Sequence, residues 1–190
     1  GQPAQPLSIA ARDRLRRLML ASGHEARVLF GRQKVDHYGR SLAHVWNRDG
    51  DNLTATLLRE GLGWTLAIPP NTQLLDCYLE AENEARSASR GVWMHTALQS
   101  RASSELPLRS TGFQRVHGRI IRVNHGGGAT WINLEGRFAI RIPDEDLHWF
   151  DPAPDRTWIG RNLEVRGWIK QVKGELRVTT HHPASISLQP

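Results

Sequence analysis

Arg40 lies in the run VDHYGRSLAHVW, Val35 to Trp46, just after a turn glycine and just before a strand-like segment. A guanidinium in that place either decorates the surface or reaches toward an anion. Its neighbours Asp36, His37 and Tyr38 share the same polar loop, which places a carboxylate, an imidazole and a phenol within one turn of Arg40. Arg is the side chain whose planar fork suits phosphate, so the chemistry to expect is phosphate recognition. Spacing alone leaves the surface reading open, since exposed arginines are common. Tyr38 is open in the same way, as a rim-packing aromatic or a ligand contact.

Composition agrees with an anionic partner. The chain of 190 residues carries a net charge of +6, with 22 arginines and only three lysines. An arginine-rich basic chain fits nucleic acid, and it equally fits a GC-rich coding sequence. Residues 1–95 hold 12 basic and 10 acidic residues, and residues 96–190 hold 13 and 9, so both halves are basic. Cys77 is the only cysteine, which leaves neither an internal disulfide nor a thiolate metal site. Cys77 falls near the apolar seam of a helix and is expected to be buried and inert. No run approaches the ~18 apolar residues of a membrane span.

Periodicity supplies the elements around Arg40. IAARDRLRRLML reads as an amphipathic helix with Ala11, Leu15 and Leu18 on one face. EARVLF and SLAHVW read as strands joined by the polar connection GRQKVDHYG. Asn52 caps a second helix that stops at Gly61, and Thr72 to Arg90 reads as a long helix ended by Gly91. Residues 96–110 have the composition of a linker. In 111–190, three strands, a short helix at PDEDLHWF and two further strands follow the order of an OB-type barrel.

Three strings, DHYGRSLAHVW, DGDNLTATLLREGLGW and AENEARSASRGVW, resemble the staphylococcal nuclease (thermonuclease-like) family over about residues 9–93. The resemblance implies an OB barrel decorated by three helices and a calcium-dependent phosphodiesterase acting on DNA or RNA. By that resemblance Arg40 is a catalytic arginine gripping the phosphate, and Tyr38 hydrogen-bonds a nucleotide phosphate. Asp36 and His37 belong to the same ligand-facing loop. The expected fold is therefore α+β. Residues 1–95 form a partial nuclease-type OB fold of three helices and two strands, 96–110 a linker, and 111–190 a second β-rich, OB-like barrel.

The chain also departs from the family pattern. The family's glutamate base falls on Ala10, which has no carboxylate. The tyrosines that follow the second helix are replaced by TLAIPPN, with Leu66 and Ile68. The strands bearing the other arginine and the calcium-binding aspartates are absent, and GQPAQP looks like the loop that would follow them. Three readings remain: an N-terminally shortened protein, a barrel completed by another polypeptide, or a helical subdomain resting on the C-terminal barrel. Resemblance also suggests an exported bacterial protein, and in that setting Cys77 is a candidate to pair with a cysteine elsewhere. The alternative function is a non-catalytic nucleic-acid or protein binding module.

Other motifs have plain structural readings. Asp49-Gly50-Asp51 is expected to form a turn and helix start rather than a calcium loop. Gly126 to Gly128 is expected to form a hairpin, Asp144 to Asp146 a helix's first turn, and His181-His182 a strand end. Strict alternation puts Arg119 with Ile121 and Ile120 with Arg122, so the barrel faces read as mixed, with Trp131 inside.

Overall fold

The computed structural model describes residues 5–189, so Gly1–Ala4 of the GQPAQP segment lie outside the described residues. The chain divides into two compact units, residues 1–65 with 70–99 and residues 66–69 with 100–190.

The first unit contains helix α1 (Ser8–Ala21), strands β1 (Ala26–Val35) and β2 (Ser41–Asn47), and helices α2 (Leu53–Arg59) and α3 (Leu75–Ser87). These are the three helices and two strands expected of residues 1–95. The α3 helix is shorter than its apolar seam suggested, because the seam continues into the turns at either end. Cys77 is exposed, which corrects the expectation of a buried thiol. The hairpin is longer than the pattern indicated. Strand β1 continues through GRQKV, with a register break between Phe30 and Val35, so the connection shrinks to Asp36–Arg40.

The Asn71 amide supports that irregular stretch. It accepts from the Gln33 N–H at 2.9 Å and donates to the Gln33 carbonyl at 2.8 Å, like a neighbouring strand. A Cβ at Gly31 would lie 2.5 Å from the Asn71 oxygen, so a glycine admits the pairing. Neither side of β1 is well covered: Val28, Leu29 and Phe30 are about half exposed.

The helices meet through small residues. Ala55, Leu58 and Ala81 are buried together with Tyr78 against them. Helix α1 buries no residue, and its tie to α2 is the forked ion pair of Arg14 with Glu60, 2.6 to 3.0 Å. The Glu60 hydrogen bond raises the Arg14 pKa further above its ordinary value.

Gly61 and Gly91 bring two backbones together where no Cβ fits. The Val92 N–H donates to the Gly61 carbonyl at 2.8 Å, and both glycines have positive φ, 71° and 53°. A Cβ on Gly61 would collide with the Arg90 carbonyl, and one on Gly91 with Gly61 itself. The Arg-x-Gly-Leu and Gly-x-Trp strings are therefore two halves of one contact.

The second unit is a closed barrel. Strands β3 (Arg101–Ala102), β4 (Gly112–His125), β5 (Ala129–Leu134), β6 (Phe138–Pro143), β7 (Asn162–Val172), β8 (Glu175–Thr179) and β9 (Ile186–Gln189) form one sheet. Its order is β3-β4-β5-β6-β8-β7-β9, and β4 also pairs with β7, which closes five strands on themselves. The segment between the third and fourth barrel strands is a 3-10 turn, Asp144–Trp149, rather than an α-helix. Within the 96–110 stretch, Arg101–Ala102 pair in parallel with Val116–His117, Ser103 is buried, and Leu106 and Leu108 pack on the barrel core. Gly126–Gly128 do form the β4–β5 hairpin, with positive φ at Gly127 and Gly128.

All of the largest fully buried side chains belong to this barrel, among them Phe138, Ile120, Ile132, Leu134 and Ile140. Each such burial stabilises by about 1.5–3 kcal/mol, whereas the buried hydrophobics of the first unit are Ala55, Ala81, Ala85, Leu53, Leu58 and Val92. Chemical denaturation followed by far-UV circular dichroism is therefore expected to melt the helical unit first. Gly61→Ala or Gly91→Ala is expected to lower that first transition by about 2 kcal/mol or more and leave the barrel transition unmoved. Equal shifts of both transitions would refute the assignment.

Candidate phosphate-binding turn

Arg40 sits at the tip of the β1–β2 hairpin, in a turn organised by Asp36. The Asp36 N–H donates to the Arg40 carbonyl at 2.9 Å, and the Gly39 N–H donates to the Asp36 carbonyl at 3.0 Å. Gly39 has φ 79°, a conformation that glycine adopts without strain. Asp36 Oδ1 accepts the backbone N–H groups of both Tyr38 and Arg40 at 2.9 Å. Asp36 Oδ2 accepts the Arg40 Nε–H at 2.6 Å. Partial desolvation pushes the Asp36 pKa upward, but the bonds from Arg40 and Tyr38 outweigh it, so the carboxyl titrates below its ordinary range.

The side chains around Arg40 point outward. Its guanidinium carbon lies 4.9 Å from the centre of the Tyr38 ring, and the His37 ring lies 3.7 Å from that same ring. The Arg40 side chain is 72% exposed, while that of Asp36 is only 14% exposed. Tyr38 is 71% exposed, so it does not pack as a rim aromatic. Because Asp36 engages only Nε, both Nη groups of Arg40 remain for a second anion. An exposed ion pair is worth little, about 0–1 kcal/mol, so it orients the guanidinium without locking it away from a ligand.

The four predicted residues thus fall together, with different stations. His37, Tyr38 and Arg40 form an exposed stack. Asp36 faces inward and acts through the turn. Sequence reading placed Asp36 beside the ligand but did not see this supporting role. The Asp-x-x-Gly spacing carries the signal for it, since an aspartate three residues before a glycine stabilises such turns.

The other candidate positions do not join this turn. Ser8–Ala11 open α1 without any carboxylate, and Ala10 is exposed. Asp51 belongs to a turn with Asn47, its N–H donating at 2.8 Å to the Asn47 side chain. Asn52 caps α2 by accepting the Ala55 N–H at 3.0 Å. The calcium-like string is therefore occupied with local structure. Asp146 is buried and receives His181 Nδ1 at 2.7 Å, and His182 accepts the Ala184 N–H at 3.1 Å. Among the described residues no group of three or more His, Cys, Asp or Glu side chains is arranged to hold a metal ion. The donor set therefore does not fit a calcium site.

Beneath the hairpin, Tyr78 of α3 contacts His44 of β2 at 2.7 Å and receives the Asn52 amide at 3.3 Å. Burial raises the Tyr78 pKa, against the hydrogen bond from Asn52. This phenol stays protonated and joins β2, α2 and α3.

Residues 1–95 match the family described as staphylococcal nuclease homologue. A thermonuclease from Staphylococcus intermedius is 30% identical over 91 residues, covering 48% of this chain and 52% of that protein. The thermonuclease of Staphylococcus hyicus is 28% identical over the same length and covers the same shares. The SPbeta prophage-derived endonuclease YokF of Bacillus subtilis is 41% identical over 59 residues, 30% of this chain and 20% of that protein. The chain thus spans about half the length of the thermonucleases it matches. With its first 95 residues matched throughout, this chain belongs to the staphylococcal nuclease homologue family.

Proposed function

We propose that the hairpin tip grips a phosphodiester of DNA or RNA, and that this chain is part of a nuclease. The observation that carries this reading is Arg40, outward-facing and held at Nε by Asp36 with its Nη edge uncommitted. Phosphodiester cleavage gathers negative charge on oxygen, and a preorganised guanidinium stabilises it. Tyr38 lies beside Arg40 and offers a hydroxyl to the same or the next phosphate. His37 extends the stack. Asp36 is a positioning residue, since a carboxylate turned toward phosphate would repel it. Nuclease relatives of the same family support the substrate class.

Calcium is the metal the family suggests, but the described residues do not gather ligands for it. The half-exposed Val28, Leu29 and Phe30 on a two-stranded ribbon support completion of this barrel by further strands, from this protein or a partner. A second reading, a phosphate-binding module that does not cut, is favoured by the start of α1, where no acidic side chain stands to activate a water.

Cleavage of single-stranded DNA and RNA, with calcium and with EGTA, separates the two readings. The nuclease reading expects calcium-dependent cutting that falls by about 100-fold or more in Arg40→Ala. No cutting, with binding that Arg40→Ala weakens and makes less salt-sensitive, establishes the module reading. Binding and cutting both unchanged in Arg40→Ala would overturn both.

The turn makes a separate pH prediction. Because the folded pKa of Asp36 is depressed, its contribution is complete above the ordinary carboxylate pKa and disappears as pH falls through the folded value. In an NMR titration the Tyr38 and Arg40 amide signals are expected to move together, with a midpoint below that of a free aspartate. Asp36→Asn should abolish that step. A midpoint at the ordinary value would contradict the arrangement.

A further inference from the structure

The outer face of the C-terminal barrel differs from what alternation predicts, and one residue causes the difference. The β4–β5 register breaks between Ile120 and Arg122. Ile120 is buried, Ile121 and Arg122 are both exposed, and Val123 is buried again. The bulge shifts the outward set of β4 by one position, so that Arg122 and Asn124 point outward with Trp131 and Asn133 of β5. The expectation that Trp131 fills the interior is therefore wrong. Its inward neighbours are Thr130 and Ile132, and Trp131 is only partly covered.

Strand register then aligns two rows around the barrel. In one, Arg122 lies opposite Asn133, Asn133 opposite Ala139, Ala139 opposite Arg177, and Arg177 opposite Lys170. In the next, Asn124 lies opposite Trp131, Trp131 opposite Arg141, and Arg141 opposite Thr179. The first row crosses four strand gaps, roughly 19 Å around the barrel at ~4.8 Å per gap. Its small member, Ala139, lets Arg177 lean over the sheet, placing its guanidinium carbon 4.9 Å from the centre of the Trp131 ring. Trp131 is itself fixed, its indole N–H donating to the Gly126 carbonyl at 3.0 Å. Arg122, Asn124, Trp131, Asn133, Glu175 and Arg177 line an open recess of about 200 Å³.

The electrostatics favour an anion along these rows. Arg122, Arg141, Arg177 and Lys170 face one carboxylate, Glu175, which pairs with Arg177 at 2.7 Å. Arg122, Arg141 and Lys170 make no ion pair among the described residues. Trp168, two positions from Lys170 on the same side of β7, is 57% exposed.

We propose that this face is a binding site for single-stranded nucleic acid. The arginines and Lys170 track the backbone. Trp131 and the Arg177 plane laid against it present a stacking platform for a base, and Asn124 and Asn133 meet base edges. A flat aromatic among spaced cations matches an unpaired strand, whose bases are free to stack, better than an acidic peptide or a duplex, whose bases are stacked already. The proposal goes beyond the turn at Arg40 and does not rest on it.

The test uses the full chain carrying Arg40→Ala, which removes the contribution of the hairpin turn. Its binding to a labelled oligothymidylate of about 12 nucleotides, within the usual footprint of such barrels, is followed by fluorescence anisotropy. Salt-sensitive binding is expected. Trp131→Ala should weaken it about 10-fold or more, with Trp131→Phe restoring most of it. Arg122→Ala with Arg141→Ala should reduce the slope of log affinity against log salt by about 1.4, two phosphate contacts at ~0.7 each. These two arginines are outside the core, so that variant remains informative if Trp131→Ala fails to fold. The proposal is overturned by absent binding, by unchanged affinity and slope in the arginine variant, or by polyglutamate displacing the oligonucleotide at equal charge. Duplex bound as tightly as single strand would overturn it too.

Discussion

A backbone contact between two glycines constrains the helical unit, and much of that unit's geometry follows from it. Gly61 ends α2 and Gly91 follows α3, and their backbones touch where no Cβ fits. The Val92 N–H to Gly61 carbonyl bond holds the two helix ends together. Arg90 reinforces it by donating to the Arg59 carbonyl at 3.0 Å, and Arg59 pairs with Glu84 at 3.0 Å. With α2 and α3 fixed this way, Tyr78 reaches His44 and Asn52, and strand β2 acquires a support that its own exposed partner strand does not supply. The hairpin tip that carries Arg40 is thus anchored through β2 to a helix pair whose spacing two glycines set.

That dependence explains why the unit holds its shape with so little buried bulk. Ala81 and Ala85 are fully buried, and small side chains let helices approach closely with few voids. The barrel solves the same problem by the opposite route. Its strands close on themselves and fill the interior with branched and aromatic side chains. Sheet closure removes the unpaired edges that the β1–β2 ribbon retains.

Local patterns made the element types legible in the sequence. Asn52 and Gly61 marked the start and stop of α2, and three strands, a short helix and two strands marked the barrel, although the helix proved to be a 3-10 turn. That Asp36, His37, Tyr38 and Arg40 would gather in one turn was legible through the Tyr-Gly-Arg string, because a turn of five residues is a local object. What stayed hidden depended on partners distant in sequence. Strand β1 runs on through Val35 because Asn71, 38 residues away from Gln33, supplies its hydrogen bonds. Cys77 sits beside an apolar seam, yet its side of the helix is left uncovered. The outward turn of Trp131 follows from one extra residue in β4, and a bulge cannot be read from alternation because it is a break in alternation.

The arginines gain their meaning from the same distinction between composition and placement. Many are spent on structure: Arg14 on Glu60, Arg59 on Glu84, Arg115 on the nearly buried Glu164, Arg119 on Glu135. A bias in coding would scatter the rest. Instead Arg40 stands exposed beside Tyr38, and Arg122, Arg141 and Arg177 align in register around Trp131. An aromatic beside an arginine holds the guanidinium plane in a definite orientation and cuts the rotamer entropy lost when a ligand arrives. Arg27 over Trp46 and Arg86 over Trp93 make the same pairing, so it is the exposed turn at Arg40 and the aligned rows around Trp131, rather than the pairing alone, that give those arginines a ligand-facing place.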